Sequence, residues 1–224
     1  MTRQELFWGW GGDIDYKDPL QLDGAFSEAH INYGKSPIFN NCVSSIFAFA
    51  SRNGNVSSMR KMNDVFESIR DSNGTEKGLN VTDKERLWKM YWLEYINAFN
   101  RLTVELPHSV VTSYIGRQAI ELGIKYILLI KTSSFHQTHD LALLSEKLFT
   151  ECRIVDDYMK DIDKFCGCYS HYIEGSNVEY FRYPEYKANS FFAGNRLDIE
   201  WLSYNFALIL LKLIHFVGID EEIN

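Results

Sequence analysis

The sequence predicts an all-α protein, and three observations indicate it. Apolar residues recur at alternating steps of three and four through most of the chain, which is the spacing of one helix face. Only four of the 224 residues are proline and 15% are aromatic, a composition typical of well-packed helical structure. No two segments show the alternating apolar and polar residues of paired strands. The 46% of hydrophobic residues is enough for a sizeable core.

The first 35 residues show no helical period. Residues 7–12 are rich in tryptophan and glycine, and we predict an extended arm whose tryptophans insert into the domain or into a partner. Asp13 and Asp15 directly follow two glycines. A nucleotidyltransferase needs its glycine turn separated from an aspartate pair on a strand that binds metal ions, so we predict a surface turn here instead.

Three helices are predicted next. Ser36 as N-cap and Pro37 at the first helical position begin one that ends at Asn53-Gly54. A second spans about residues 58–71. Thr82 and Glu85 form a capping box that begins the third, which ends before Pro107. We expect the aromatic stripe of this third helix to dock on the C-terminal half. The stripe consists of Trp88, Trp92, Tyr95, Phe99 and Leu102.

A central helix is predicted from about Ser109 to Lys131. It carries two adjoining apolar stripes, which indicates that it packs between neighbouring helices. Arg117, Glu121 and Lys125 follow one another at i, i+4 spacing along a polar edge, close enough to interact.

Three further helices complete the prediction. One opens on His139-Asp140-Leu141, and another begins near Asp156-Asp157, whose carboxylates suit a helix N-terminus. After a loop over about residues 174–194, a closing helix spans about residues 195–217. It is apolar nearly all round, so we expect it to be deeply buried or paired with another subunit.

Several of these residues carry a resemblance to a known family. An Ala-x-Glu-Leu-x-x-Lys helix followed by His-Asp-Leu-x-x-Leu resembles the HEPN domain, and a later Arg-Tyr-Pro is similar to a segment of many such domains. The matching residues are Ala119, Glu121, Leu122, Lys125, Leu128, His139, Asp140, Leu141, Leu144, Arg182, Tyr183 and Pro184. The resemblance covers about residues 110–218. It implies a HEPN-like antiparallel helical bundle over residues 109–224, with residues 1–108 as an N-terminal extension of an arm and about three helices.

Active HEPN domains are metal-independent ribonucleases that use an Arg, four to six residues, then a His, for proton transfer and phosphorane stabilisation. The fit in this chain is Arg101 and His108. This pair precedes the central helix, and Pro107 interrupts the helix that would present it. Arg196 has no histidine near it in sequence. We therefore favour no catalytic residue and keep Arg101 with His108 as an alternative.

The family's nucleotide binding suggests a ligand site. Lys125, His139 and Arg182 are predicted to meet around an anion at a helix N-terminus, and Tyr183 to stack on a base. Asp140 belongs to this predicted site. The structural alternative is that Thr138 or His139 caps the helix and Asp140 lies in its first turn.

Composition excludes several classes of protein. The net charge of −7 argues against general coating of nucleic acid. The cysteines, Cys42, Cys152, Cys166 and Cys168, lack metal or redox spacing, so we expect reduced packing residues with no metal and no cofactor. The N-terminus is not a signal peptide, and the apolar run over residues 206–217 is too short for a membrane span. We expect a cytoplasmic protein without membrane contact.

The leading hypothesis from the resemblance is a non-catalytic HEPN-like module that senses nucleotide or RNA, or docks a partner, in a bacterial defence or toxin–antitoxin-type system. One alternative is a metal-independent ribonuclease. The other is a purely structural interaction subunit that binds a larger complex through its aromatic arm. A homodimer is expected, because the closing helix is more apolar than one bundle face requires.

Overall fold

The described part of the chain is all-α, as predicted. A computed structural model describes residues 15–20, 73, 80–175, 181–182 and 197–219, and these contain five α-helices and no strand. The predicted aromatic arm and the helices predicted over residues 36–53 and 58–71 lie outside the described residues.

The five helices are α1 over Val81–Glu105, α2 over Val110–Thr132, α3 over Leu141–Cys152, α4 over Lys160–Tyr169 and α5 over Ile199–Phe216. A 3-10 turn over Asp157–Met159 precedes α4, and a π-helical turn over Ser170–Glu174 continues it.

The start of α1 differs from the prediction. Asn80 caps this helix: its Oδ1 accepts from the backbone N–H of Asp83 at 2.8 Å, and its Nδ2 donates to the Asp83 carboxylate at 2.6 Å. The predicted capping box of Thr82 and Glu85 is wrong by two residues, because Asn80 is a stronger N-cap than Thr and pairs with Asp83 earlier in the chain.

The predicted break between α1 and α2 is confirmed. The first helix ends at Glu105, two residues before Pro107, and Ser109 is the N-cap of the second. The Ser109 hydroxyl accepts from the backbone N–H of Val111 at 3.2 Å, which satisfies one of the unpaired N–H groups of the first turn.

Two glycines let α1 pack closely on α2. A Cβ added at Gly116 would lie 2.6 Å from the Phe99 ring, and one added at Gly123 would lie 2.7 Å from the Trp92 indole. Both aromatic side chains are fully buried. The expected docking of the aromatic stripe is therefore observed, with each ring seated over a glycine seven residues from the other.

Helix α2 occupies the centre of the bundle. It packs against both α5 and α3, and α3 packs in turn against α4. This position explains the two apolar stripes of α2. The described residues 15–20 and 87–219 fall in one compact unit, whereas residues 73 and 80–86 fall in another.

The closing helix α5 is buried, as its apolar composition predicts. Asp198 is its N-cap and accepts from the backbone N–H of Trp201 at 3.0 Å. By length and composition α5 is the one described helix apolar enough to cross a membrane, and most of it lies inside the protein. Its Lys212 is buried with it.

Candidate functional site

The polar edge of α2 lies in the core of the bundle. The side chains of Arg117, Glu121 and Lys125 are only 2%, 5% and 5% exposed. Glu174, at the end of the π-helical turn, is 1% exposed and joins them. We call these four side chains the buried charge network. They carry two positive and two negative charges, so the network is neutral when all four are ionised.

Arg117 connects three parts of the fold. Its Nε donates to Glu174 Oε1 at 2.7 Å, its Nη1 donates to the Glu121 carboxylate, and its Nη2 donates to the backbone carbonyl of His139. The planar guanidinium thus joins α2 to the end of α4 and to the segment that precedes α3. Arginine suits this position because its donors form a rigid fork and its charge is permanent.

Glu121 is the carboxylate shared by Arg117, Lys125 and His139. Its Oε1 accepts from Lys125 Nζ at 2.8 Å and lies 2.8 Å from His139 Nδ1. One carboxylate therefore pairs with both α2 cations and with the imidazole. Lys125 has its charge balanced inside the protein, and this distinguishes the observed geometry from a cluster of unpaired cations.

Burial and pairing shift the pKa values of the network in definite directions. Burial alone would lower the pKa of Arg117, but the hydrogen bond and charge of Glu174 raise it further than burial lowers it. Burial would raise the pKa of Glu121, but Lys125 and Arg117 lower it overall. The pKa of Glu174 is raised, because its burial outweighs the hydrogen bond and the charge of Arg117.

His139 contacts the buried charge network and reaches solvent. Its side chain is 64% exposed, while its Nδ1 is held by the buried Glu121. The arrangement holds one nitrogen of the ring and leaves most of the side chain exposed to solvent. An imidazole oriented by a carboxylate can donate a hydrogen bond to an anion or transfer a proton.

Asp140 caps α3, so the predicted cap at Thr138 or His139 is wrong. The Asp140 carboxylate accepts from the backbone N–H groups of Ala142 at 2.8 Å and Leu143 at 3.4 Å. Thr138 instead accepts from the backbone N–H of Asp140 at 3.2 Å. The carboxylate therefore takes the position that a bound anion would occupy at this helix N-terminus.

Replacing Asp140 by Ala is expected to lower the free energy of unfolding by roughly 0.5–2 kcal/mol, because the first turn of α3 loses its acceptor. Urea unfolding followed by circular dichroism measures the change. Asp156 is the matched control, since it precedes a 3-10 turn without a side-chain capping bond. Equal losses for Asp140→Ala and Asp156→Ala would contradict the capping role.

The predicted ligand residues are brought together in part. Lys125 and His139 meet on Glu121, and Asp140 follows His139 directly. Arg182 is exposed. Burial raises the pKa of Tyr114, and the positive charge of Arg182 opposes this rise. Arg182 therefore lies near Tyr114, which is one turn before Arg117 on α2. Tyr183 lies outside the described residues.

The two residues of the alternative catalytic pair, Arg101 and His108, lie on different secondary-structure elements. Arg101 is exposed on α1, and His108 lies in the turn after that helix. His108 Nε2 is 3.2 Å from the Glu200 carboxylate at the start of α5. This contact was missed in the sequence, because the two residues are 92 positions apart and only the bundle brings them together. Arg196 lies outside the described residues.

The described residues contain no cluster of histidine, cysteine and carboxylate side chains that could hold a metal ion. Cys152, Cys166 and Cys168 are free thiols, as predicted, and Cys42 lies outside the described part. Burial raises the pKa of the Cys166 thiol to about 12, so it is a neutral packing residue at physiological pH.

Together these features define an all-α helical bundle with the buried charge network in its core and, at its surface, His139 oriented by Glu121 of that network. Comparison of the chain with protein-family models, with curated proteins and with solved structures finds no match.

Proposed function

We propose that the chain is a non-catalytic HEPN-like helical module that senses a nucleotide or RNA through its phosphate groups, in a bacterial defence or toxin–antitoxin-type system. One observation carries the proposal: the exposed ring of His139 is held by the buried carboxylate of Glu121. The family and its biological setting rest on the sequence resemblance. The contact surface rests on the geometry around His139.

The geometry supports phosphate contact by a fixed donor. Because Glu121 holds Nδ1, little rotational freedom of the ring remains to be lost on binding, and Nε2 faces the ligand. In this proposal exposed Arg182, which lies near Tyr114 of α2, supplies a second donor suited to bidentate contact with phosphate. Lys125 acts indirectly in this proposal, by stabilising the charge on Glu121.

The geometry of the alternative catalytic pair, Arg101 and His108, argues against RNA cleavage. A nuclease site needs an imidazole and a guanidinium that converge on one phosphate. His108 Nε2 already contacts Glu200, and Arg101 lies exposed on a different secondary-structure element from His108.

Binding is tested by titrating the full chain with a fluorescent ATP analogue and, separately, with a labelled single-stranded RNA. We expect His139→Ala and Arg182→Ala each to weaken binding by about tenfold or more, the effect of losing one charge-assisted hydrogen bond. His136→Ala is the matched control, because His136 precedes the same helix and pairs with Glu151. Circular dichroism checks that each variant is folded.

Two outcomes would overturn parts of this proposal. Absence of binding by the unmodified chain to either probe would remove the sensing role and leave partner docking. Shortening of the RNA that His108→Ala abolishes would establish the ribonuclease alternative instead.

Self-association is a separate part of the proposal. The apolar surface of α5 is covered within its own bundle, so a homodimer must use another face. Light scattering of the purified chain measures its mass directly, and a monomer at all concentrations would remove the dimer.

A further inference from the structure

Residues 15–20 form a turn that holds itself together. The backbone N–H of Asp15 donates to the Asp18 carboxylate at 2.6 Å, and that of Lys17 donates to the Asp15 carboxylate at 2.9 Å. The backbone N–H of Asp18 donates to the Asp15 carbonyl at 2.9 Å. Aspartate side chains that bond nearby backbone N–H groups stabilise turns locally. Contacts within the segment itself therefore stabilise its turn conformation.

A buried lysine of α5 donates hydrogen bonds to the turn. Lys212 Nζ donates to the carbonyls of Tyr16 at 2.9 Å and Asp18 at 2.7 Å. Burial lowers the pKa of Lys212, while the carboxylates of Asp161, Asp18 and Asp15 oppose that shift at longer range. A buried ammonium needs acceptors, and here a segment almost 200 residues away supplies them.

Two side chains of residues 15–20 also pack against the rest of the protein. The Tyr16 ring stacks on His215 with centroids 3.5 Å apart and meets Tyr158 edge-on at 5.2 Å. Leu20 is buried in the hydrophobic core. We call the surface formed by Lys212, His215 and Tyr158 the Lys212 groove. It contacts two backbone carbonyls and one aromatic ring.

We propose that the Lys212 groove is a peptide-binding site, and that residues 15–20 are a resident ligand that a peptide of the same chemistry can replace. The chemistry is an aromatic residue, an aspartate-stabilised turn that presents two carbonyls, and a leucine four residues after the aromatic one. Backbone carbonyls, one ring and one leucine are the contacts of a short linear motif. This proposal is independent of the nucleotide-sensing function.

The lysine favours exchange over simple release. Loss of the segment would remove the two carbonyl acceptors of Lys212 and expose the apolar surface that Leu20 covers, which is unfavourable. An incoming peptide that supplies equivalent carbonyls removes that cost. Because the resident segment is tethered, it competes at a high effective concentration. A free peptide should therefore bind well only after the resident segment is weakened.

The test uses the full chain and a fluorescent peptide of residues 13–22. In the variant Tyr16→Ala with Leu20→Ala, we expect the peptide to bind about tenfold or more tightly than it binds the unmodified chain, as measured by anisotropy. Adding Lys212→Met should remove this gain. The control peptide carries alanine at the same two positions. Equal affinity for the unmodified and double-variant chains, or absence of binding to both, would overturn the proposal.

A second measurement does not depend on the double variant. Trypsin cleavage after Lys17 reports how firmly the segment is held in the otherwise unmodified chain. We expect Lys212→Met to speed this cleavage about tenfold or more, because the two carbonyls lose their donor. Lys160→Met, at an exposed position of α4, is the matched control. Equal cleavage in Lys212→Met and the unmodified chain would show that Lys212 does not hold the segment.

Discussion

Replacing Glu121 by Leu is expected to lower the free energy of unfolding by about 3–5 kcal/mol, because it leaves buried charges without their partner. Lys125, 5% exposed, would lose its carboxylate, and Arg117 would keep only Glu174 and a backbone carbonyl. Urea unfolding at neutral pH, followed by circular dichroism, measures the loss. A change below about 1 kcal/mol would place the network among weak surface pairs.

A matched double variant separates charge imbalance from lost packing. Glu121→Leu with Lys125→Met removes one anion and one cation and leaves the Arg117–Glu174 pair intact. Replacement of a whole buried pair by apolar residues is often neutral. The double variant should therefore regain most of the stability lost by Glu121→Leu. A double variant as unstable as the single one would show that hydrogen bonding or packing of Glu121, not charge balance, matters.

The acid dependence of stability provides a second readout of Glu121. Its pKa in the folded chain lies below the ordinary 4.5. Its contribution is therefore complete above that value and is lost as the pH falls through the lower, folded-state pKa. The stability advantage of the unmodified chain over the double variant should shrink on acidification in this range. The raised pKa of Glu174 makes its own contribution to stability grow on acidification. Both the unmodified chain and the double variant contain Glu174, so the comparison between them reports on Glu121.

The sequence reveals the pairing along α2 but not its burial. Arg117, Glu121 and Lys125 stand at i, i+4 spacing, so their interaction follows from helix geometry. A charged stripe on a helix ordinarily faces solvent. Here it is buried because Glu174, 57 residues from Arg117, balances its charge. No local pattern predicts such a partner, since only the packing of α4 against the rest brings it within reach.

His139 and Lys212 illustrate the same limit. The sequence marks His139 as part of a helix start, but its contact with Glu121 crosses from one helix to the segment before another. In the sequence, Lys212 is a charged residue within an apolar run, and no local pattern indicates its role. Its role as donor to the carbonyls of Tyr16 and Asp18 depends on a segment at the other end of the chain. Helix positions were predictable from periodicity, whereas these sites depend on tertiary contacts.

Replacing Trp92 by Ala is expected to destabilise the protein by about 3–5 kcal/mol, the cost of deleting a large buried aromatic side chain and leaving a cavity. Trp92 is fully buried, and its indole N–H has no acceptor among the described residues, so its contribution is packing. Denaturant unfolding measures this loss. A loss below about 1 kcal/mol would mean that the helices close over the space.

Gly123 tests the specific contact beneath Trp92. An alanine Cβ there would lie 2.7 Å from the indole, so Gly123→Ala should cost about 1–3 kcal/mol in overpacking, against a gain of about 1 kcal/mol in helix propensity. Gly167→Ala is the matched control, because nothing lies within 4 Å of its added Cβ. It should keep the propensity gain.

The contact itself is isolated by combining the two changes. In the Trp92→Ala background the ring is gone, so Gly123→Ala should become neutral or stabilising, as at Gly167. The difference between the two backgrounds is the coupling free energy of the contact. An equal cost of Gly123→Ala in both backgrounds would mean that the penalty arises elsewhere on α2. A large coupling would establish that the close approach of α1 to α2 depends on a glycine, a residue that helix propensity alone marks as unfavourable in a helix.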